Sequence, residues 1–91
     1  MKKVLVATGT SEHKKAFAVD YIKEYLTKKE VEAEILGANI YEVKIEDVNP
    51  DVIVTIGLAN FSTNVPIIQG AAFVMKRGMD EVCDAIIDKL K

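Results

Sequence analysis

The sequence predicts a three-layer α/β/α protein with a four-stranded parallel sheet at its centre. Continuous apolar runs rich in β-branched residues, 3–8 and 52–56, are typical of strands buried on both faces. Segments with helical periodicity, 12–29 and 79–90, alternate with the strands, as in α/β folds. A chain of 91 residues has room for one hydrophobic core, so we expect a single domain over residues 1–91.

The composition excludes several classes of function. Apolar residues make up 49% of the sequence, which indicates a folded globule. Twelve basic and fourteen acidic residues leave a net charge of -2, so no nucleic-acid partner is expected. One cysteine and one histidine do not complete a four-ligand zinc site, and we predict no metal or other cofactor. The N-terminus lacks the apolar length of a signal peptide or membrane span, which predicts a cytoplasmic protein without direct membrane insertion.

The first strand, residues 3–8, ends in a turn that leads into a helix. Gly9 begins this turn, and Thr10 or Ser11 is a suitable N-cap residue. Residues 12–29 then place apolar side chains on one broad face, as in a helix that lies on a sheet. Three aromatic residues mark the margin of this face: Phe17, Tyr21 and Tyr25. Packing against a neighbouring element is the favoured interpretation of these rings, over a partner surface.

The middle of the chain supplies three further strands. Residues 32–36 alternate between apolar and acidic side chains and predict an edge strand with one wet face. Residues 39–48 fit a short helix or turn better than a strand. Residues 52–56 form the clearest central strand, and residues 65–68 predict a second edge strand because they contain Pro66.

The C-terminal part is predicted as a loop over 69–77 followed by a helix over 79–90. One stripe of this helix is apolar: Met79, Val82, Cys83, Ile86 and Leu90. Cys83 is therefore predicted to be a core residue. The pair Lys76 and Arg77 is either a solvated turn, which we favour, or a positive patch for a partner. Right-handed crossovers between these elements predict the strand order 2-1-3-4.

The candidate site follows from that strand order. In such sheets ligands bind beyond the carboxyl ends of the strands, where the order reverses, which here means the loop from Thr8 to Lys14. A glycine and a polar turn before a helix can cradle an anion with unpaired backbone amides. Gly9, Thr10, Ser11 and Lys14 are therefore the candidate residues for binding phosphate or another small anion, although lysines that simply extend into solvent are the favoured interpretation of Lys14 and Lys15. The common nucleotide-binding glycine motifs are absent.

Two segments resemble a known family. Residues 1–10, Met-Lys-Lys-Val-Leu-Val-Ala-Thr-Gly-Thr, resemble the opening of galactitol-type enzyme IIB components of the bacterial phosphoenolpyruvate-dependent sugar phosphotransferase system (PTS). The first strand of that family typically ends Val-Ala-Cys-Gly-Thr. Residues 65–73, Val-Pro-Ile-Ile-Gln-Gly-Ala-Ala-Phe, also resemble it, and a short loop, Gly78 and a terminal helix follow. The resemblance covers the whole chain and implies a parallel four-stranded sheet flanked by helices.

The resemblance also implies a function. IIB components carry a phosphoryl group from a histidine on the IIA component to a sugar bound by the membrane component IIC. IIA and IIC would then be the partners of this chain, and its association with the membrane would run through IIC. The family carries the phosphoryl group on a cysteine at the end of the first strand. The residue at that position here is Thr8.

Threonine changes the chemistry that the resemblance implies. A cysteine at a helix N-terminus forms a thiolate near neutral pH, whereas an alcohol needs an adjacent base to attack. We therefore expect phosphoryl relay to be impaired or absent, with Thr8 retained for the fold or for phosphate binding. His13 in the same loop is an alternative relay residue, although a solvated histidine is the favoured interpretation. Two alternative functions stay open: a non-catalytic IIB homologue that acts by docking or regulation, and a small-anion-binding module.

Overall fold

A parallel sheet of four strands forms the centre of the structure. The computed structural model describes residues 2–9, 12–57 and 63–90. The strands are β1 (Lys2–Thr8), β2 (Ala33–Asn39), β3 (Val52–Ile56) and β4 (Ile67–Gln69). They lie in the order β2-β1-β3-β4, and each neighbouring pair is parallel. The predicted parallel sheet and its strand order are both confirmed.

Four helices within the described residues accompany the sheet. They are α1 (Glu12–Lys28), α2 (Ile45–Val48), α3 (Ala71–Met75) and α4 (Met79–Leu90). The predicted first and last helices are confirmed, and the short helix expected within residues 39–48 is the single turn α2. The prediction of a loop over residues 69–77 is wrong, because α3 lies within it. A helix of five residues is too short to display a helical period in the sequence.

The bounds of three strands differ from the prediction: β1 begins one residue early at Lys2, β2 spans Ala33–Asn39 and β4 spans Ile67–Gln69. β2 extends beyond residue 36 to Asn39 because its register with β1 continues, pairing Thr8 with Asn39. β4 begins after Pro66 rather than at residue 65. Pro66 has no N–H to donate, but its carbonyl oxygen accepts a hydrogen bond from the Ile53 N–H at 2.9 Å. β2 and β4 are the edge strands, as predicted.

The larger core lies between one face of the sheet and helices α1, α3 and α4. Its fully or nearly fully buried residues are Val4, Val6, Ala18, Ile22, Leu26, Val52, Val54, Ile56, Phe73, Cys83, Ile86 and Leu90. Leu5, Ala7 and Ile53 are buried on the opposite face, under partly buried side chains of β2, the segment 40–48 with α2, and Val65. The two clusters follow from the alternation of side chains along β1 and β3. The helical layer on this opposite face of the sheet therefore consists of a single turn, α2.

Two tyrosine hydroxyls join α1 to α4. The Tyr21 hydroxyl donates a hydrogen bond to Asp80 Oδ1, and the Tyr25 hydroxyl donates one to Asp84 Oδ1 at 2.7 Å. These hydrogen bonds, together with desolvation and the carboxylate charges, raise the pKa of each tyrosine to about 12. The aromatic row of α1 therefore packs against a neighbouring helix at these two positions, which confirms the interpretation favoured from the sequence.

Candidate functional site

The candidate site lies at the carboxyl ends of the two central strands. Thr8, the last residue of β1, pairs with Asn39 on one side and with Ile56 on the other. The chain runs from β1 to an edge strand and then back across β1 to β3, so the strand order reverses between β1 and β3. This arrangement puts the end of β1 and the start of α1 where α/β sheets bind ligands.

Thr8 is buried at the end of its strand. Only 2% of its surface is exposed, and its carbonyl oxygen accepts a hydrogen bond from the Ile40 N–H at 2.7 Å. Alternation along β1 puts its side chain on the same face as Val4 and Val6, which belong to the larger core. Desolvation disfavours the charged form of any buried acid, so an alkoxide at Thr8 is less accessible than at an exposed alcohol. The position therefore suits a structural hydroxyl better than an unassisted nucleophile.

Open space lies beside the next residue of the loop. A Cβ atom built at Gly9 has no atom of the described residues within 4 Å. The predicted loop residues Thr10 and Ser11 lie outside the described residues. The structure thus describes Gly9 and Lys14 of the four predicted anion-binding residues, and Gly9 borders room that a ligand could enter.

The basic residues in the first turn of α1 have different surroundings. His13 and Lys14 are exposed. Lys15 is held in place: its Nζ lies 2.8 Å from Glu12 Oε2, and its stem packs over β2. A Cβ atom at Gly37 would lie 2.9 Å from Lys15 Cγ, so this close approach requires glycine. Lys15 therefore differs from the exposed His13 and Lys14, because its side chain is paired with Glu12 and packed against β2. The spacing of the basic residues in the sequence did not predict this difference.

A cleft of about 220 Å³ lies between α1 and α3, next to the candidate loop. Among the described residues, six line this α1–α3 cleft: His13, Lys14, Phe17, Phe73, Val74 and Lys76. The Phe17 and Phe73 rings meet edge to face with centroids 6.5 Å apart, and Lys76 Nζ lies 5.3 Å from the Phe17 centroid. The sequence analysis missed Phe73 and Val74 as candidates because it did not predict α3. The apolar run after Gly70 is the sequence feature that could have indicated these two residues.

Cys83 is buried in the core, as predicted. None of its surface is exposed, and burial together with the carboxylates of Asp80 and Asp84 raises its pKa to about 12. A thiol with such a pKa is almost entirely protonated at neutral pH, so it is neither a nucleophile nor a phosphoryl acceptor. The chain's single cysteine does not replace the one expected at position 8.

The reactivity of Cys83 tests this conclusion. We expect the native protein at pH 8 to react with a chromogenic disulfide reagent at least a hundred-fold more slowly than the unfolded chain. A rise in pKa from 9.0 to about 12 alone lowers the thiolate fraction roughly a thousand-fold. Stopped-flow absorbance in buffer and in guanidinium chloride measures the two rates. Equal rates would mean that Cys83 is accessible and ionisable in the native state.

The described part of the chain has neither a cluster of side chains suited to a metal ion nor a helix suited to crossing a membrane. No group of three or more histidine, cysteine, aspartate or glutamate side chains in residues 2–9, 12–57 and 63–90 is arranged to hold a metal ion. None of the helices within these ranges is both long enough and apolar enough to cross a membrane.

Comparison with known proteins defines the class of fold. No family model matches the sequence, and no curated protein matches it. Among solved structures, the chain has the fold of PTS IIB domains. One matching structure is the lactose-specific IIB component domain of the phosphoenolpyruvate:carbohydrate phosphotransferase system (PTS) from Streptococcus pneumoniae, with a TM-score of 0.70. The alignment covers 99% of this chain and 98% of that domain, at 13% sequence identity.

A flavodoxin from the domain Archaea also aligns, at 18% identity and a TM-score of 0.39. That alignment covers 91% of this chain and 52% of the flavodoxin. At this level of similarity it carries no argument about the present chain. The IIB-like fold rests on the lactose-specific domain.

Proposed function

We propose that this chain is a PTS IIB-like component of the galactitol type that docks with IIA and IIC components but does not relay a phosphoryl group through position 8. The observation that carries the proposal is the end-to-end structural likeness to a IIB domain, combined with a buried alcohol at the end of β1. The sequence segments that resemble galactitol-type components support the sugar class. On this proposal the chain acts in the cytoplasm and approaches the membrane through IIC.

The chemistry of the relay explains why Thr8 should stop it. In the cysteine route a P–N bond to histidine breaks as a P–S bond to the thiolate forms, and the P–S bond then breaks as the sugar oxygen attacks phosphorus. An alcohol at this position lacks the ionised nucleophile for the first step. If it were phosphorylated, the resulting phosphate ester would be a poor donor for the second step. Docking of IIA and IIC does not require the cysteine sulfur, so a threonine at position 8 is compatible with it.

Phosphorylation by a reconstituted chain tests the proposal. We expect the native protein to keep its mass when it is incubated with phosphoenolpyruvate, the general PTS proteins and a galactitol-type IIA. We expect the Thr8→Cys variant to gain one phosphoryl group under the same conditions, because the start of α1 stabilises a thiolate there and offsets the desolvation that disfavours it, and a thiolate, unlike an alcohol, needs no adjacent base. Intact mass spectrometry at neutral to alkaline pH, which preserves acid-labile phosphoryl groups, measures both outcomes.

Two control variants make the result specific. Thr8→Ser keeps the alcohol and should stay unmodified, whereas His13→Gln in the Thr8→Cys background should still be labelled. Labelling of the native chain that is lost in His13→Gln would contradict the proposal, because it would make His13 the acceptor. Failure of Thr8→Cys to accept a phosphoryl group from any IIA would contradict the IIB-like function.

A second candidate function is the binding of a small anion without a protein partner. The open space beside Gly9 favours it, since an anion there would be close to the backbone at the start of α1. In that case inorganic phosphate alone should raise the melting temperature as its concentration passes the dissociation constant. Chloride at equal ionic strength serves as the control. Under our primary proposal the two salts have the same effect.

A further inference from the structure

The α1–α3 cleft has an apolar floor that reaches the surface. Phe73 is 3% exposed and forms the base with the half-buried Phe17, while Tyr21 braces Phe73 edge to face with centroids 5.9 Å apart. The apolar surface continues along α3, where Val74 is 45% exposed and Met75 is 64% exposed. Exposed aliphatic side chains beside a preformed aromatic pocket are typical of protein contact surfaces.

The rim of the same cleft is cationic. Lys14 and Lys76 line it beside His13, and the exposed Arg77 follows Lys76 in the chain. None of the six described residues that line the cleft is acidic. The whole chain has a net charge of -2, so the charge of this patch is opposite to the average. A positive rim attracts carboxylates and steers their approach.

The size of the cleft limits its occupant. Its volume of about 220 Å³ is below the usual range of about 300–1,000 Å³ for sites that enclose a small-molecule ligand. It matches the volume of one large side chain. A free phosphate or a nucleic-acid backbone would use the cations but leave the apolar floor unused.

We infer that the α1–α3 cleft docks a segment of a partner protein that carries one apolar side chain flanked by carboxylates. The apolar side chain rests on the Phe17 and Phe73 rings, and the carboxylates pair with Lys76, close to the positive charge of Lys14. Both helices are already in position, so little ordering accompanies binding. This surface is argued from its own chemistry and holds whether or not Thr8 accepts a phosphoryl group.

A short peptide tests the inference on the intact protein. The probe is acetyl-Glu-Asp-Phe-Asp-Glu-amide, titrated into the ¹⁵N-labelled chain at low ionic strength. We expect saturable shifts of the backbone amides of residues 13–17 and 73–77, with smaller changes elsewhere. Raising the salt concentration should weaken binding, because the rim charges are exposed.

Two matched peptides separate the contributions of charge and apolar contact. Acetyl-Glu-Asp-Ser-Asp-Glu-amide retains the charges without the aromatic ring, and acetyl-Lys-Lys-Phe-Lys-Lys-amide retains the ring with the opposite charge. Both should bind at least several-fold more weakly than the probe. Equal binding of all three, no binding of the probe, or saturable shifts centred on another surface would overturn the inference.

A matched pair of protein variants tests whether the positive charge that attracts the peptide lies at the rim of the α1–α3 cleft. Lys76→Glu should weaken binding of the probe roughly ten-fold, since an attraction becomes a repulsion at the rim. Lys23→Glu makes the same charge change at an exposed position of α1 outside the cleft and should change the affinity less than two-fold. If both variants weakened peptide binding equally, the affinity would depend only on the net charge of the protein, and the assignment of the docking site to the α1–α3 cleft would be wrong. The peptide titration does not involve IIA, so its failure is distinguishable from a failure of the Thr8→Cys assay.

Discussion

Replacing Phe73 by alanine is expected to lower the free energy of unfolding by about 3–5 kcal/mol, the usual cost of truncating a buried aromatic side chain. Phe73 is 3% exposed and packs α3 against α1, since its ring contacts Phe17 and Tyr21 of α1. The short helix α3 has few other buried residues to hold it, Ala72 being the second. Urea denaturation followed by circular dichroism measures the loss.

The neighbouring residue supplies the control for this prediction. Val74 lies on the same helix but is 45% exposed, so Val74→Ala should lower the free energy of unfolding by less than about 1 kcal/mol. Both variants should weaken the acidic peptide probe, because each removes part of the cleft. A Phe73→Ala protein as stable as Val74→Ala would mean that α3 does not pack against α1 as described.

The sheet and the long helices could be predicted because their signals are local. The strand over 52–56 is a continuous β-branched run bounded by Asn49-Pro50-Asp51 and Gly57, and its burial on both faces follows from that run alone. Helix α4 shows its core face as a stripe at helical spacing. The strand order then followed from the handedness of crossovers, which depends on the chirality of the backbone and not on particular side chains.

The cleft could not be predicted, because it depends on a contact between distant parts of the sequence. Phe17 looked like the margin of an amphipathic helix, and Phe73 looked like part of a loop. Their meeting requires α3 to fold back from the edge strand β4 onto α1, and five residues carry no periodic signal for this. Lys76 belongs to the cleft for the same reason. The sequence analysis favoured a solvated turn there, and Lys76 and Arg77 are indeed exposed in a turn, but it did not predict that Lys76 Nζ lies over the Phe17 ring.

Position 8 illustrates the limits of a motif. The end of the first strand was predicted from its apolar run, and the resemblance drew attention to threonine there. The burial of Thr8 and the room beside Gly9 depend on the neighbouring strands and on the course of the chain, which the motif does not describe. Substitution at position 8 therefore tests the proposed loss of phosphoryl transfer, whereas substitutions at glycines test the packing around the site.

Gly70→Ala is expected to lower the free energy of unfolding by about 1–3 kcal/mol, as overpacking in a dense region does. Gly70 joins β4 to α3, and its N–H donates a hydrogen bond to the Thr55 carbonyl oxygen at 2.6 Å. A Cβ atom there would lie 2.9 Å from that oxygen and 2.9 Å from Val54 Cγ1, both on the central strand β3. The oxygen belongs to the backbone of a buried strand and cannot move aside as a flexible side chain would. Relief requires β4 and α3 to shift, which also displaces Phe73 from the cleft.

Gly9→Ala is the matched control, because the same chemical change meets no atom within 4 Å in the part of the chain that the structure describes. Gly9 does not have the positive φ that disfavours alanine, so the substitution should be neutral or stabilising by about 0.4–1 kcal/mol through the unfolded chain. Chemical denaturation of both variants, with the acidic peptide titrated into each, separates the two sites. Gly70→Ala should lose both stability and peptide affinity, while Gly9→Ala retains both. If the two alanines had equal effects, close packing at the β4–α3 junction would not be what positions the cleft.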